Sequence, residues 1–342
     1  MIAAYETIFL FAYGPDVPRQ AAFAGAMQRQ VQVASRAGTP VICRRIGSLD
    51  KVRAGLMTAG SWRATLDRMY DIAQPYGPLV ESTLRLVTWN VWGRHGPWEP
   101  RERAITETLR ALDPDIVVLT EAWQAAEDSQ CARLGPELGL PHHAFTAPAS
   151  APSPDGVAVL ARWPIARQIG QELDSAGLAT PLLFLEIDGP RGPVQVFATG
   201  LNDFRPDQSA QRQAHVHSIA ELVSSRQNKR APTIVAGDFN ADPDSDEIRM
   251  LTGRCAVPVP GLVFHDAWEM AGDPRESGAT WSRDNAWAAP ALWPSRRIDY
   301  IFTAWPRRGG LGHPVHCELV GTTPIDGVLP SDHYGVLADL RY

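Results

Sequence analysis

Lysine is nearly missing from this chain of 342 residues: Lys51 and Lys229 are the only two, and the rest of its 32 basic side chains are arginines. Acidic residues outnumber them at 38, leaving a formal net charge of −6. A protein that grips nucleic acid through bulk charge carries the opposite balance, so the composition weighs against a general nucleic-acid binder. Cysteine is scarce too. Cys43, Cys131, Cys255 and Cys317 lie far apart, with no CxxC pair and no CxxC…His spacing. That pattern gives no sign of a zinc ribbon or a disulfide framework and suits ordinary thiols in a reducing compartment. Long apolar runs are absent; the nearest, residues 7–12 and 116–119, are strand-length, so no membrane span is expected. The N-terminus carries Glu6 early and has neither a basic stretch nor a long apolar core. No secretory signal is expected there, and the predicted location is cytoplasmic. Internal repeats and low-complexity tracts are missing as well.

What remains is 44% hydrophobic and 20% charged, an ordinary globular balance. The chain is long enough for two domains and for a large core that needs no metal or disulfide to fold. The stretch Gln74-Pro75-Tyr76-Gly77-Pro78 marks a boundary. Before it, strands are predicted over 5–13 and 39–45 and helices over 18–37 and 61–73. Residues 1–80 thus read as a small α/β accessory segment with no cluster of reactive side chains. From residue 84 onward apolar strands dominate, over 84–91, 115–119, 156–161, 182–188, 194–199, 233–236, 298–302 and 335–340. Helices fit 100–112, 209–225 and 244–251, and the proline-marked stretch 147–154 reads as a surface loop. Many strands, with helices not strictly alternating, predict a layered α/β sandwich over 84–342 rather than a doubly wound sheet.

Polar residues punctuate the ends of these strands: Asn90, Glu121, Asp238 and Asn240 within Gly237-Asp238-Phe239-Asn240, Asp299, and Ser331-Asp332-His333. Strand ends are where a rigid sheet holds side chains accurately while leaving them open to a ligand. Singly, each has an ordinary explanation as a turn, a cap or a loop residue. Together they are four carboxylates, two amides and one imidazole. Oxygen donors without thiolate suit Mg²⁺ or Mn²⁺ rather than Zn²⁺. An imidazole beside carboxylates can donate to a phosphoryl oxygen, its tautomer set by an acidic partner. The chemistry best served is in-line attack of water on a phosphate ester.

Six motifs sharpen this: Leu-Val-Thr-Trp-Asn-Val-Trp (86–92), Ile-Val-Val-Leu-Thr-Glu (116–121), Gly-Val-Ala-Val-Leu-Ala-Arg (156–162), Gly-Asp-Phe-Asn (237–240), Arg-Ile-Asp-Tyr-Ile-Phe (297–302) and Ser-Asp-His (331–333). In that order they resemble the endonuclease/exonuclease/phosphatase superfamily of DNase-like, metal-dependent phosphohydrolases, over residues 84–342. The resemblance implies a four-layer α/β sandwich, two packed mixed sheets flanked by helices, with the site at one end. It implies that Asn90 and Glu121 hold the metal, with Asp332 at it directly or through water. Asp238 would orient or deprotonate the attacking water, and Asn240 would position the water or the phosphate. His333 would bind and polarise the phosphoryl group, with Asp299 as its orienting partner. One departure stands out: the family pattern has a His where this chain has Gly200. A charge-assisted hydrogen bond contributes roughly 1.5–3 kcal/mol, so its loss predicts a rate lower by about ten- to a hundredfold, or a different substrate. His215 and His217 follow on the 209–225 helix without a spacing that places either in the site.

Two loops should border such a site, 92–103 and 281–297. Arg94, Trp98, Trp287, Trp293 and Arg296 are the candidate substrate contacts, with Trp281, Arg101, Arg103 and Arg297 beside them. Aromatic and arginine side chains can stack a base or clamp a phosphate, although a packed rim with solvated arginines would look the same in sequence. Asp207, Ser209, Arg212 and Gln213 read as structural. The predicted activity is hydrolysis of a phosphoester by a Mg²⁺- or Mn²⁺-dependent phosphodiesterase or phosphatase, with a small or lipid-like phosphoester or a nucleotide favoured. A nuclease acting on DNA or RNA is the main variant. Readings from other classes are a phosphate- or nucleotide-binding protein that has lost turnover, and an interaction or dimerisation role centred on residues 1–80.

Overall fold

Twelve strands and five α-helices make up the architecture of the computed structural model, which describes residues 73–149, 155–175, 178–201 and 205–342. The four elements expected within residues 1–80, and most of the loop over 147–154, lie outside the described residues. In chain order the strands are β1 (Thr83–Asn90), β2 (Ile116–Trp123), β3 (His142–Thr146), β4 (Asp155–Ala161), β5 (Ile165–Ser175), β6 (Leu178–Gly189), β7 (Gly192–Gly200), β8 (Thr233–Asp238), β9 (Phe264–Asp266), β10 (Asp299–Ala304), β11 (Pro314–Val320) and β12 (Gly335–Arg341). The helices are α1 (Trp98–Leu112), α2 (Gln130–Leu138), α3 (Ser209–Arg226), α4 (Asp246–Thr252) and α5 (Ala267–Ala271).

The strands form two six-stranded sheets, ordered β11-β12-β1-β2-β4-β3 and β5-β6-β7-β8-β10-β9. Each contains one parallel pair, β1 with β2 and β7 with β8. A parallel pair needs a crossover, and α1 and α3 supply the two. The helix α1 stops where Asp113 turns left-handed at φ 47°, just before Pro114, which cannot continue it.

Period-2 alternation sorts the strand residues into layers. Leu84, Leu86, Ile116 and Val118 of one sheet face Val194, Val196, Ala198, Ile234, Ala236 and Ile301 of the other, making a core between the sheets. Their neighbours Val87, Trp89, Val117 and Leu119 point outward onto Ile105 and Leu109 of α1 and Leu134 and Leu138 of α2. On the second sheet Phe197, Val235, Tyr300 and Phe302 meet Val216, Ile219 and Val223 of α3 and Ile248 and Leu251 of α4. Helices, sheet, sheet, helices: the fold is a four-layer α/β sandwich with three apolar seams. Each large side chain fully buried in them stabilises the fold by roughly 1.5–3 kcal/mol. Between the edges of the sheets, α5 packs against β10 and β11, and its Ala267 and Trp268 close the flank of the central seam. Among the described residues no helix is long and apolar enough to cross a membrane.

Candidate active site

The inward columns of the central strands do not end in hydrocarbon. Leu84 and Leu86 are followed at the same spacing by Thr88 and Asn90, and Ile234 and Ala236 by Asp238. Asp299 opens β10 directly opposite Asp238 in the antiparallel register, two residues before the inward Ile301. Alternation alone thus delivers Asn90, Asp238 and Asp299 to one end of the central seam.

Glu121 breaks that rule. Its neighbours Val117 and Leu119 face the outer helices, and strict alternation would send Glu121 the same way. The ladder to β4 instead shifts between Thr120 and Ala122, and Glu121 sits left-handed at φ 53°. A bulge of this kind re-aims one side chain, and here it turns the carboxylate into the cleft. The glycine of Gly237-Asp238-Phe239-Asn240 is equally particular. Gly237 has φ 141°, and a Cβ there would lie 1.7 Å from the Thr199 carbonyl oxygen, so only glycine lets β8 approach β7 before Asp238.

Asn90 sits at the centre of the cluster. Its amide nitrogen donates to Glu121 Oε1 and to Asp238 Oδ2, both at 3.0 Å, while its Oδ1 accepts from the Trp92 N–H at 2.9 Å. Asp238 Oδ1 accepts from the Asn240 backbone N–H at 2.8 Å, and the Asn240 side chain donates to the Leu201 carbonyl at 2.7 Å. His333 Nδ1 lies 2.8 Å from Asp299 Oδ2, both groups buried. Thr280 Oγ1 accepts from the Ile298 and Asp299 backbone N–H groups. Ser331 ties the two halves together, donating its hydroxyl to the Asn90 carbonyl at 2.7 Å.

Burial pushes the Asp238 carboxyl up to about 7, with the nearby Asp299 charge adding to the effect. Glu121 is open to the cleft yet ringed by protein, and desolvation followed by the Asp332 charge raises it. Desolvation likewise raises Asp332. For His333 burial works toward a lower value, but Asp299, through its charge and hydrogen bond, and then Asp332 and Asp238 outweigh it and hold the imidazolium well above the usual range. These are the signs of a site with more carboxylate than cation. Asp299 Oδ1 is buried without a hydrogen-bond partner, and ligand atoms of Asp238, Asp299 and His333 lie within 4.8 Å of one another. Hard oxygen donors in this excess fit a divalent cation.

The cluster floors a cleft of about 460 Å³. Asn90, Glu121, Asp238, Asn240, Asp332 and His333 all line it, with Asp299 behind His333. Trp293 and Arg296 line it as well, Arg296 holding Asp242 at 2.8 Å and reaching the Asn240 carbonyl. Arg94, Trp98 and Trp287 are outside the lining. Arg94 lies over Trp123 at 3.7 Å and over Trp98 at 4.9 Å, and Trp287 packs on Trp92 and donates to the Leu329 carbonyl. Gly200 ends the inward column of β7 in the cleft, facing Thr120. His215 is buried on α3 and His217 is exposed, neither in the lining. Sequence reasoning missed Trp92, His95 and Asp155 on the walls. Asp155 had a readable signal, a carboxylate opening a strand as Asp299 does; Trp92 owes its place to a left-handed backbone at φ 55° that no pattern announces.

Among solved structures the fold is similar to truncated TDP2 of Caenorhabditis elegans, at 21% identity and TM-score 0.62, covering 77% of this chain and 100% of that one. TDP2 of D. rerio, in complex with a single-strand DNA product, gives 20% identity and TM-score 0.62 over 77% and 100%. An endonuclease/exonuclease/phosphatase from Bacteroides vulgatus gives 19% identity and TM-score 0.58 over 76% and 99%. At these identities the likeness speaks for the fold. No curated protein matches the sequence. The model of the Endonuclease/Exonuclease/phosphatase family matches residues 87–333, a span that runs from the strand carrying Asn90 to His333, and the chain therefore belongs to that family of Mg²⁺- or Mn²⁺-dependent phosphoester hydrolases.

Proposed function

We propose that this protein hydrolyses a small phosphoester, lipid-like or nucleotide, by attack of water at the floor of the cleft. The observation that carries the reading is the lining among the described residues: an acidic floor with the His333 imidazole, walls from Trp92, His95, Trp281 and Trp293, and Arg296 as its arginine, already paired with Asp242. A long polyanion needs a row of cations beside the site, whereas a single phosphoryl group with a planar or apolar substituent needs only the floor and the walls. Glu121 and Asp332, with Asn90 beside them, would hold the Mg²⁺ or Mn²⁺, which when bound neutralises charge on the phosphoryl group. Asp238 accepts the proton of the attacking water, and Asn240 positions that water. His333, its Nδ1 fixed by Asp299, presents Nε2 to a phosphoryl oxygen. The intact cluster supports turnover over a binding role. The free thiols of Cys131, Cys255 and Cys317 suit a reducing cytoplasm, and residues 1–80 remain an accessory segment in this reading.

A second reading, nuclease action, is favoured by the likeness to the D. rerio TDP2 structure with its single-strand DNA product. Hydrolysis of bis(p-nitrophenyl) phosphate, p-nitrophenyl phosphate and a single-stranded oligonucleotide, each with Mg²⁺, Mn²⁺ or EDTA, separates the two. Small-ester turnover abolished by EDTA, by Asp238→Asn and by His333→Ala is the expected result. Turnover of the oligonucleotide at least about a hundredfold more efficient than of either small ester would install the nuclease reading. EDTA-resistant turnover would overturn both.

A further inference from the structure

Arg101 is 1% exposed, although it lies on the surface helix α1, and among the described residues it donates no hydrogen bond to a carboxylate. Its guanidinium is spent on main-chain carbonyls. Nη1 donates to Val91 O at 2.9 Å and Pro330 O at 3.0 Å, Nη2 to Trp92 O and Gly93 O at 3.0 Å and to His95 O at 2.8 Å, and Nε also to His95 O. The same group lies 4.7 Å from the centre of the Trp92 ring. This removes it from the phosphate-clamping role its loop suggested. Four of the five carbonyls belong to the turn that follows Asn90, and the fifth, Pro330, immediately precedes Ser331-Asp332-His333.

We propose that Arg101 is a positioning residue that locks the turn after Asn90 and the Ser331–His333 segment into one register. The links are explicit. Arg101 holds the Trp92 carbonyl, the Trp92 N–H holds Asn90 Oδ1, and the Asn90 amide then faces both Glu121 and Asp238. The Gly93 N–H, one residue on, holds the Glu121 carbonyl. From the other side Arg101 fixes Pro330, and Ser331 returns to the Asn90 carbonyl. Trp92 and Gly93, at φ 55° and 41°, form a turn that would not persist without such a frame. A planar fork of five N–H donors matches this ring of acceptors, whereas an ammonium with three donors does not.

The inference rests on the phosphohydrolase reading for its kinetic arm only. Arg101→Lys is compared with Arg307→Lys, a change at another buried arginine that donates to a backbone carbonyl, that of Ala231, away from the cleft. Both are assayed well below their melting temperatures. A misplacement of about 1 Å costs on the order of a hundredfold in rate, so Arg101→Lys should lower kcat at least about tenfold with KM within about threefold. It should also weaken Mn²⁺ binding, measured by calorimetry without substrate, several-fold. Arg307→Lys should lower Tm while leaving kcat and Mn²⁺ affinity alone. Equal behaviour of the two variants, or wild-type kcat and Mn²⁺ affinity in folded Arg101→Lys, overturns the proposal. Hydrogen exchange in the wild-type protein tests it even if Arg101→Lys does not fold. The Trp92 and Gly93 amides should exchange as slowly as those of β1, and free exchange there refutes a locked turn. If the wild-type protein turns over no ester, the functional reading fails while the binding and exchange measurements still judge the lock.

Discussion

Removing the buried Asp238 carboxylate should make the metal-free protein more stable. Burial raises Asp238 from 3.8 to about 7, a gap of roughly three pH units, and each unit corresponds to about 1.4 kcal/mol. At a pH above both values the folded state therefore carries about 4 kcal/mol of destabilisation for keeping this carboxylate charged. Asp238→Asn removes that cost and keeps the shape. It loses one acceptor, because the two N–H donors from Asn90 and Asn240 now face a single amide oxygen, at about 1 kcal/mol or a little more. The net gain is about 2–3 kcal/mol, or roughly 4–10 °C in Tm for a unit of this size. The pH dependence has a definite sign. The carboxyl is raised in the folded state, so its penalty is complete above about 7, shrinks as pH falls, and is gone below 3.8. Thermal unfolding in EDTA should show Asp238→Asn above wild type at pH 8.5 and slightly below it near pH 4. Added Mg²⁺ should narrow the gap at pH 8.5, because the wild-type charge cluster gains more from a cation. A variant less stable than wild type at pH 8.5 in EDTA would refute the account of the site as an excess of buried charge.

Other expectations follow from single observations. Gly200→Ala should shift Tm by no more than about 2 °C, since its Cβ would meet Thr120 at an ordinary 3.4 Å, whereas Gly237→Ala should unfold the sheet or abolish soluble expression. Glu247→Gln should lower the urea midpoint by the equivalent of about 3 kcal/mol, because it strips the buried Arg212 of the carboxylate 2.6 Å away; an unchanged midpoint would show that the ion pair is dispensable. Asp299→Asn should cut kcat by about a hundredfold or more and move the His333 imidazole, followed by NMR, to a lower titration range. The stability this pair adds is complete below the free imidazole's range and fades as pH climbs through the raised value, so the deficit of Asp299→Asn should be largest near pH 6 and shrink as pH is raised.

The strands that sequence patterning found and those it missed divide by position. Those it found, such as 84–91, 233–236 and 335–340, are central, and burial on both faces makes them legible as apolar runs. The four it missed, β3, β5, β9 and β11, are the four sheet edges. An edge strand such as β11, with Val315, His316 and Glu318 exposed, carries polar residues that guard it against further pairing and so hide it from a hydrophobicity argument. The α2 helix escaped because Gly135 and Pro136 lie inside it, residues that normally argue against a helix. In the site, Asn90, Asp238 and Asp299 were legible because each extends an alternating column. Glu121 was legible from its place at a strand end and in a motif, not from alternation, which its bulge contradicts. Arg101 and Thr280 meet main-chain groups, those of residues 91–95 and 330 for Arg101 and of 298 and 299 for Thr280, and side-chain patterning does not announce contacts to the backbone.

The pairing of β12 with β1 has a temporal meaning during synthesis. A nascent chain that has emerged as far as residue 330 already contains Asn90, Glu121, Asp238 and Asp299, but β1 is then a bare sheet edge and both His333 and the Ser331 tie are still inside the ribosome. Nothing short of the segment 331–341 can finish the central strand order and the site together. Completion of the central sheet and of the polar cluster at its end therefore waits on one short segment, 331–341.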